Sequence, residues 1–450
     1  MNTLSRTAAA RALAPTVRAG ALLLAGALPF LLLHSEHQPA FALGRVDVKA
    51  SDLLLLAIAI ATAVAIGREP AIVRGWRPVA LPVAALMAWV LASVALATAS
   101  DRPYAAGDHL ISAFGFAQYG VLALAVPALI RTAADLRAVL WALAGWLAVL
   151  DVVGALQFAG LDWLTTSSAG ERQPSLIGFH DLAAAGGAAL AIGLVGIALG
   201  GRWPLGRLPI ALCAGGAVAL VLSGSLGGGA GLLGAAILVA LVAALAGTLT
   251  RRRALAIASI AAATLLGIVA LRGGDIEQFG RFLGILPAER TTTEDVQTYS
   301  HRTLLAYFGL RVFADHPVTG AGWQATNEYA TLEPYLADAH RRFPDVAQQS
   351  FPSPATPYGV QNGYIQALAD LGIVGLLLFL GALAAPVALG ALGAIRARGA
   401  EAGVLLAGAA IVVTVAGVWT AQGLVAGLPM DALAWLGAGL VVRGRTGLVP

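Results

Sequence analysis

The chain has 450 residues, 58% of them hydrophobic and 12% charged, with 54 glycines and 21 prolines. A soluble protein is about one quarter charged, so this balance excludes an ordinary soluble enzyme, and apolar runs of roughly twenty residues recurring from end to end define a polytopic membrane protein. The net charge of +4, from 27 arginines and Lys49 against 24 acids, is divided among loops and does not point to nucleic acid.

Bounded by charge, proline and polar clusters, twelve all-α spans are predicted. Nine fall at 19–33, 53–67, 79–98, 110–130, 136–160, 182–200, 208–222, 226–247 and 254–271; three follow a long gap, at 363–395, 402–421 and 424–442. The run 363–395 is too long for one straight span and reads as one that begins with an interfacial helix. The single cysteine, Cys213, lies within an apolar run, reads as a packed thiol and excludes a disulfide framework. Glycines 227, 228, 229 and 231 lack the Lys-Ser or Lys-Thr of a phosphate loop and read as close helix packing. Trp76, Trp163 and Trp203 fall near span ends, where aromatic belts occur.

Cationic residues of short loops stay on the cytoplasmic side. Alternate loops divide accordingly: Arg6, Arg11 and Arg18, then Arg68, Arg74 and Arg77, then Arg131 and Arg137, Arg202 and Arg207, Arg251 to Arg253, Arg396 and Arg398, and finally Arg443 and Arg445 form one set. The other short loops hold Arg45, Lys49, Arg102 and Arg172. Both termini are therefore expected in the cytoplasm. Ala40-Phe41-Ala42 after the first apolar run also fits a signal-peptide cleavage site, but an uncleaved first span preserves the alternation. The organisation expected is nine spans over 1–271, an extracytoplasmic loop over 272–361, and three spans with a short tail over 362–450.

The loop holds seven arginines against ten acids, so it is not a polybasic clamp. Leu304, Leu305, Phe308 and Val312 recur at helical spacing, and Asp315-His316-Pro317 ends that helix. Five prolines between Pro334 and Pro357 favour an irregular lid over a compact domain. Loops over the mouth of a rigid bundle commonly carry function.

Three stretches carry a pattern. The first is S-H-R-T-L-L-A-Y-F at 300–308, continuing to D-H-P-V-T-G-A-G-W at 315–323. The second is Q-N-G-Y at 361–364, followed by D-L-G-I-V-G at 370–375. The third is R-Q-P-S-L-I-G-F-H-D-L-A at 172–183. Together they resemble the O-antigen ligase and O-antigen polymerase superfamily, in which an arginine-bearing helix leads to H-P-x-x-G-x-G, H-N-x-[YF] precedes E-x-G-x-x-G, and R-x-x-G-x-F-x-x-x-N-x-x-A opens a central span. Asp181 falls near the usual asparagine, and two other departures matter more. Leu226 stands where S-R-G supplies an arginine, and Gln361 stands where the family has a histidine; an amide cannot act as a general base.

The resemblance implies transfer of a polyprenyl-pyrophosphate-linked saccharide to a glycan or lipid acceptor hydroxyl outside the plasma membrane, by a ligase or a polymerase. Fixed cations suit the leaving pyrophosphate because guanidinium forks bind phosphate in pairs. The acceptor proton calls for a histidine or carboxylate, and a lipid substrate calls for a lateral gap between spans. No metal-ligand spacing is present, so a metal-independent reaction without cofactor is expected.

Arg302 is the first candidate for the clamp, against an arginine snorkelling to water. Arg311, nine residues on and on another side of the helix, is a further substrate-binding candidate. Arg172 is a second candidate, against an ordinary loop cation. His301 and His316 are candidate bases, as is His340, although His316 also suits a helix C-terminus. Gln361 and Asn362 either orient a sugar hydroxyl or cap the next helix. His180 and Asp181, like Asp151, are ionisable groups at membrane depth. Two other classes remain open. A transporter would use the central ionisable groups and the glycine-rich bundle; a non-catalytic glycan-lipid-binding member would account for Leu226 and Gln361.

Overall fold

The apolar runs fold as helices because a backbone in hydrocarbon must satisfy its own polar groups. The computed structural model describes residues 19–44, 46–100, 103–161, 168–203, 205–273, 277, 285, 298–425 and 427–447. Arg6, Arg11, Arg18, Arg45, Arg102 and Trp163 lie outside the described residues.

The helices are α1 (Ala19–Leu31), α2 (Ala50–Arg68), α3 (Arg77–Thr98), α4 (Ala106–Tyr119), α5 (Leu122–Leu129), α6 (Ala133–Phe158), α7 (Phe179–Leu199), α8 (Leu208–Ser223), α9 (Leu226–Leu245) and α10 (Arg251–Leu271). After them come α11 (Thr298–Asp315), α12 (Gly363–Arg396), α13 (Gly399–Val418) and α14 (Pro429–Thr446). Among the described residues nine segments are long and apolar enough to cross a membrane, α4 and α5 counting as one, and α1 and α8 are shorter apolar helices. Exposed Leu56, Ile60, Leu266 and Leu377 give the outer helices an apolar face, as contact with lipid demands. This is a multi-pass membrane protein.

Several details differ from the sequence expectation. The span expected at 110–130 is interrupted between α4 and α5 at Gly120 and Val121. The last helix starts at Pro429, not 424, because proline suits the first turn and Asp431 accepts the Leu428 N–H. An antiparallel hairpin, β1 (Ala40–Leu43) with β2 (Val46–Lys49), joins α1 to α2, so the fold is not wholly helical. Trp76 and Trp203 are buried within protein instead of facing a lipid boundary; Trp203 lies over Gly403, whose missing side chain leaves the room.

At the centre lies α7, buried along nearly its whole length and packed against α8, α9, α13 and α14. Small residues set these distances: a methyl on Gly186 would meet the Gly216 carbonyl at 2.9 Å, and one on Gly228 would meet Ala183 at 2.7 Å. Gly227 lies against Gly417, and Gly231 against Thr414, so this glycine stretch does pack helices. Cys213 is buried beside Gly193.

Instead of an irregular lid, residues 298–361 have a core of their own. Leu304, Phe308 and Val312 of α11 pack on Ala325, Leu332, Tyr335, Ala339 and Phe351. The prolines bound short helices, Tyr329–Leu332 and Leu336–Arg342, which fold back onto the apolar face of α11. Tyr335 donates to Asp315 at 2.5 Å, Tyr307 donates to Asp338, and Arg342 reaches Asp338 at 2.9 Å.

This unit is locked to the bundle at a break in α12. Gly372, with φ 68 and ψ −172, interrupts the helix, so the long run is divided into two helical pieces. In an unbroken helix the Ile373 N–H would bond to the Ala369 carbonyl. Here Ile373 donates to Pro317 O at 2.9 Å, while Ala369 O accepts from Ala321 and Asp370 O from Gly322, at 2.9 and 2.8 Å. The buried Asp370 carboxylate accepts from Thr326 N at 2.9 Å and Gln366 Nε2 at 3.0 Å. Gln366 Oε1 in turn takes the Leu424 N–H at 2.6 Å, and Gln324 donates to the Leu424 carbonyl. The D-H-P turn, the α12 break and the segment before α14 are thus one hydrogen-bonded joint.

Candidate functional site

Two serines and a glycine shape the turn between α8 and α9. Gly224 ends α8 in the left-handed conformation, φ 57, Ser223 Oγ accepts from Ser225 N at 3.2 Å, and Ser225 Oγ caps α9 through Gly228 N at 3.1 Å. Lacking a side chain, Gly224 leaves room for two arginines. A methyl there would lie 3.0 Å from Arg172 Cβ and 3.3 Å from Arg272 Cδ.

Arg172 arrives on the segment before α7. Gln173 N donates to Leu222 O at 2.7 Å, which ties that segment to the end of α8. Ser175 exchanges backbone bonds with the Gln157 side chain, and its hydroxyl donates to Leu150 O at 2.7 Å. Ser175 sits at the register of the glycine in R-x-x-G and has φ 53, a backbone conformation that favours glycine. The Arg172 guanidinium stacks over Phe179 at 4.3 Å.

Arg302 arrives on the first turns of α11, half-buried, with Nε unpartnered among the described residues. Burial, then the like charges of Arg172 and Arg272, hold its pKa below the ordinary arginine value. His180, in the first turn of α7, lies within electrostatic reach of Arg302, Arg172 and Arg272, and its Nδ1 is 3.4 Å from Ser225 Oγ. Four elements therefore bring three guanidiniums and an imidazole within electrostatic reach of one another.

The other expected residues divide. His301 is buried, edge-on to Tyr358 at 4.7 Å, with Nε2 unpartnered among the described residues. Burial, with the Arg302 charge adding, lowers its pKa from 6.5. Arg311 lies over Tyr335 at 5.7 Å, and His316 ends α11 about 21 Å along the axis from Arg302, at 1.5 Å per residue. Neither joins the cluster. His340 stacks on Phe351 at 3.9 Å within the small core. Asn362 caps α12, its Oδ1 accepting from Tyr364 and Ile365 at 3.1 Å, and donates to Thr420 O at 3.0 Å; Gln361 precedes it, half-buried.

His180 and Asp181 do not act as a pair. Asp181 points to α14 and accepts the Met430 N–H at 3.0 Å. Asp151 lies against Gly215 of α8. Among the described residues no three of His, Cys, Asp and Glu come together as a metal site would need.

Arg272 was not among the residues singled out from sequence, where it counts only as a loop arginine. Its position directly after α10, level with the α8–α9 turn in an antiparallel bundle, is the signal that would have found it. A polytopic bundle with a cationic cluster at one mouth presents chemistry suited to an anionic group. Residues 211–380 match the family model described as O-Antigen ligase, so the chain carries a domain of that family. The match spans α8 to the first half of α12, including the α8–α9 turn, α11 and the α12 break. No curated protein matches the chain. The matched domain suggests ligation or polymerisation of lipid-linked glycans in surface polysaccharide synthesis.

Proposed function

We propose that the protein transfers a polyprenyl-pyrophosphate-linked glycan to an acceptor hydroxyl at the extracytoplasmic face of the plasma membrane, as a ligase in preference to a polymerase. The topology of this reading has twelve spans, with α1, α8 and α14 completing the nine long ones and both termini in the cytoplasm. The observation that carries it is the convergence of Arg172 and Arg302, from two distant parts of the chain, on the mouth of the α8–α9 turn.

In the reaction the acceptor oxygen forms a bond to the anomeric carbon as the bond from that carbon to the pyrophosphate oxygen breaks. The bonding pair leaves on the pyrophosphate, where Arg172 and Arg302 meet the developing charge. The hydroxyl proton passes to His301, which burial keeps unprotonated. His180 contacts the phosphate side of the substrate, and Gln361 orients the acceptor.

The test is complementation of a deletion strain with wild type or Arg302→Ala, followed by size-resolved extraction of lipid-linked saccharide. Full-length glycan accumulating on lipid with the variant supports a ligase, and single repeat units indicate a polymerase. Wild-type pools with Arg302→Ala overturn the site assignment, and pools unchanged by the deletion itself overturn the transferase reading in favour of a transporter or a non-catalytic glycan-lipid-binding member.

A further inference from the structure

We propose that Arg272 binds the pyrophosphate of the lipid-linked substrate, taking from the end of α10 the place that the family resemblance gives to an arginine at Leu226. The inference rests on the transferase reading above. Leu226, the first residue of α9, has an aliphatic side chain that is 38% exposed and offers an anion nothing. Arg272 closes the same mouth from the neighbouring helix.

The bland alternative is a cation placed to suit a helix C-terminus, since Arg272 N bonds to Ile268 O and Val269 O at the end of α10. Such an arginine in a membrane protein normally extends toward water. Arg272 is instead only 9% exposed, lies across Gly224 and donates Nη1 to the Gly224 carbonyl at 3.0 Å. That carbonyl fixes the direction of the guanidinium, and its charge acts on both Arg302 and His180. Like charges set close together favour an anion seated among them. As the anomeric carbon–oxygen bond breaks and the pair passes to the pyrophosphate, the leaving group gains a unit of negative charge, and a third preset fork stabilises that state most.

The experiment measures binding of a fluorescent polyprenyl pyrophosphate to the purified full chain, with transfer assayed in membranes. The variants are Arg272→Ala, Arg272→Gln, Arg302→Ala, and Leu226→Arg added to Arg272→Ala. Arg272→Gln keeps a donor for the Gly224 carbonyl and removes the charge, so it separates folding from binding. The expected result is a loss of affinity of at least tenfold for both Arg272 variants, with wild-type thermal stability for Arg272→Gln. Leu226→Arg should recover at least half of that loss on a logarithmic scale. Wild-type affinity in Arg272→Gln overturns the proposal; if Arg302→Ala still loses binding, the transferase reading stands. Wild-type affinity in Arg302→Ala as well overturns that reading too. A double variant that binds no better than Arg272→Ala overturns the equivalence of positions 226 and 272.

Discussion

Ile373 donates its backbone N–H to the carbonyl of Pro317 at 2.9 Å, across 56 residues of sequence, in place of the helical bond to Ala369. The helix break and the D-H-P turn therefore complete each other's backbone bonds, and residues 298–361 are anchored at a fixed height over the bundle. Arg302, at the other end of α11, is held over the mouth by that anchor.

Gly372→Ala should undo the joint. The backbone at φ 68 and ψ −172 is open to little but glycine, and a methyl would run into the Val318 carbonyl. Strain and clash together cost about 2–5 kcal/mol. A clearly lowered melting temperature in detergent and faster proteolysis within 317–361 are expected; wild-type values for both contradict this account.

Asp370→Asn leaves the shape of the side chain and changes its hydrogen bonding. Asp370 accepts from both Thr326 N and Gln366 Nε2, whereas asparagine turns one acceptor into a donor that faces another donor. The expected loss is about 1–3 kcal/mol, read as a lower midpoint of unfolding. Asp370→Ala should be worse, and equal stability of the two variants would show that the acceptor pair is unimportant.

His301 sets a pH dependence. In the proposed reaction the unprotonated imidazole takes the acceptor proton, and its pKa is below 6.5 because of burial first and Arg302 second. The active form therefore persists as pH falls through 6.5, and the acid limb of kcat/KM should lie below that value. A limb at or above 6.5 that disappears in His301→Gln would contradict the assigned environment.

Arg302→Lys distinguishes a fork from a point charge. Lysine retains the charge but cannot hold phosphate through two parallel N–H groups. Transfer should fall about tenfold, between wild type and a loss of about a hundredfold or more in Arg302→Ala. Equal rates for the lysine variant and wild type would mean that charge alone suffices.

Composition and the spacing of apolar runs determined the membrane class, and most of the helices, because hydrocarbon leaves a twenty-residue apolar segment no other way to satisfy its backbone. The family resemblance pointed to Arg302 and Arg172 and membrane depth to His180, while the length of the 363–395 run showed only that it is not one straight span. Tertiary structure decided what local pattern does not encode. Prolines that read as an irregular lid bound short helices packed on α11, since that packing depends on contacts between Phe308, Tyr335 and Phe351 that are distant in sequence. Asp181 and His180 are neighbours in the chain, yet one caps α14 and the other joins the arginines, because adjacent helical residues face directions about 100° apart. Arg272 reads as a loop cation until the antiparallel pairing of α10 with the α8–α9 turn brings it to Gly224. The cluster is a property of where three helix ends meet, and only the packed bundle fixes that point.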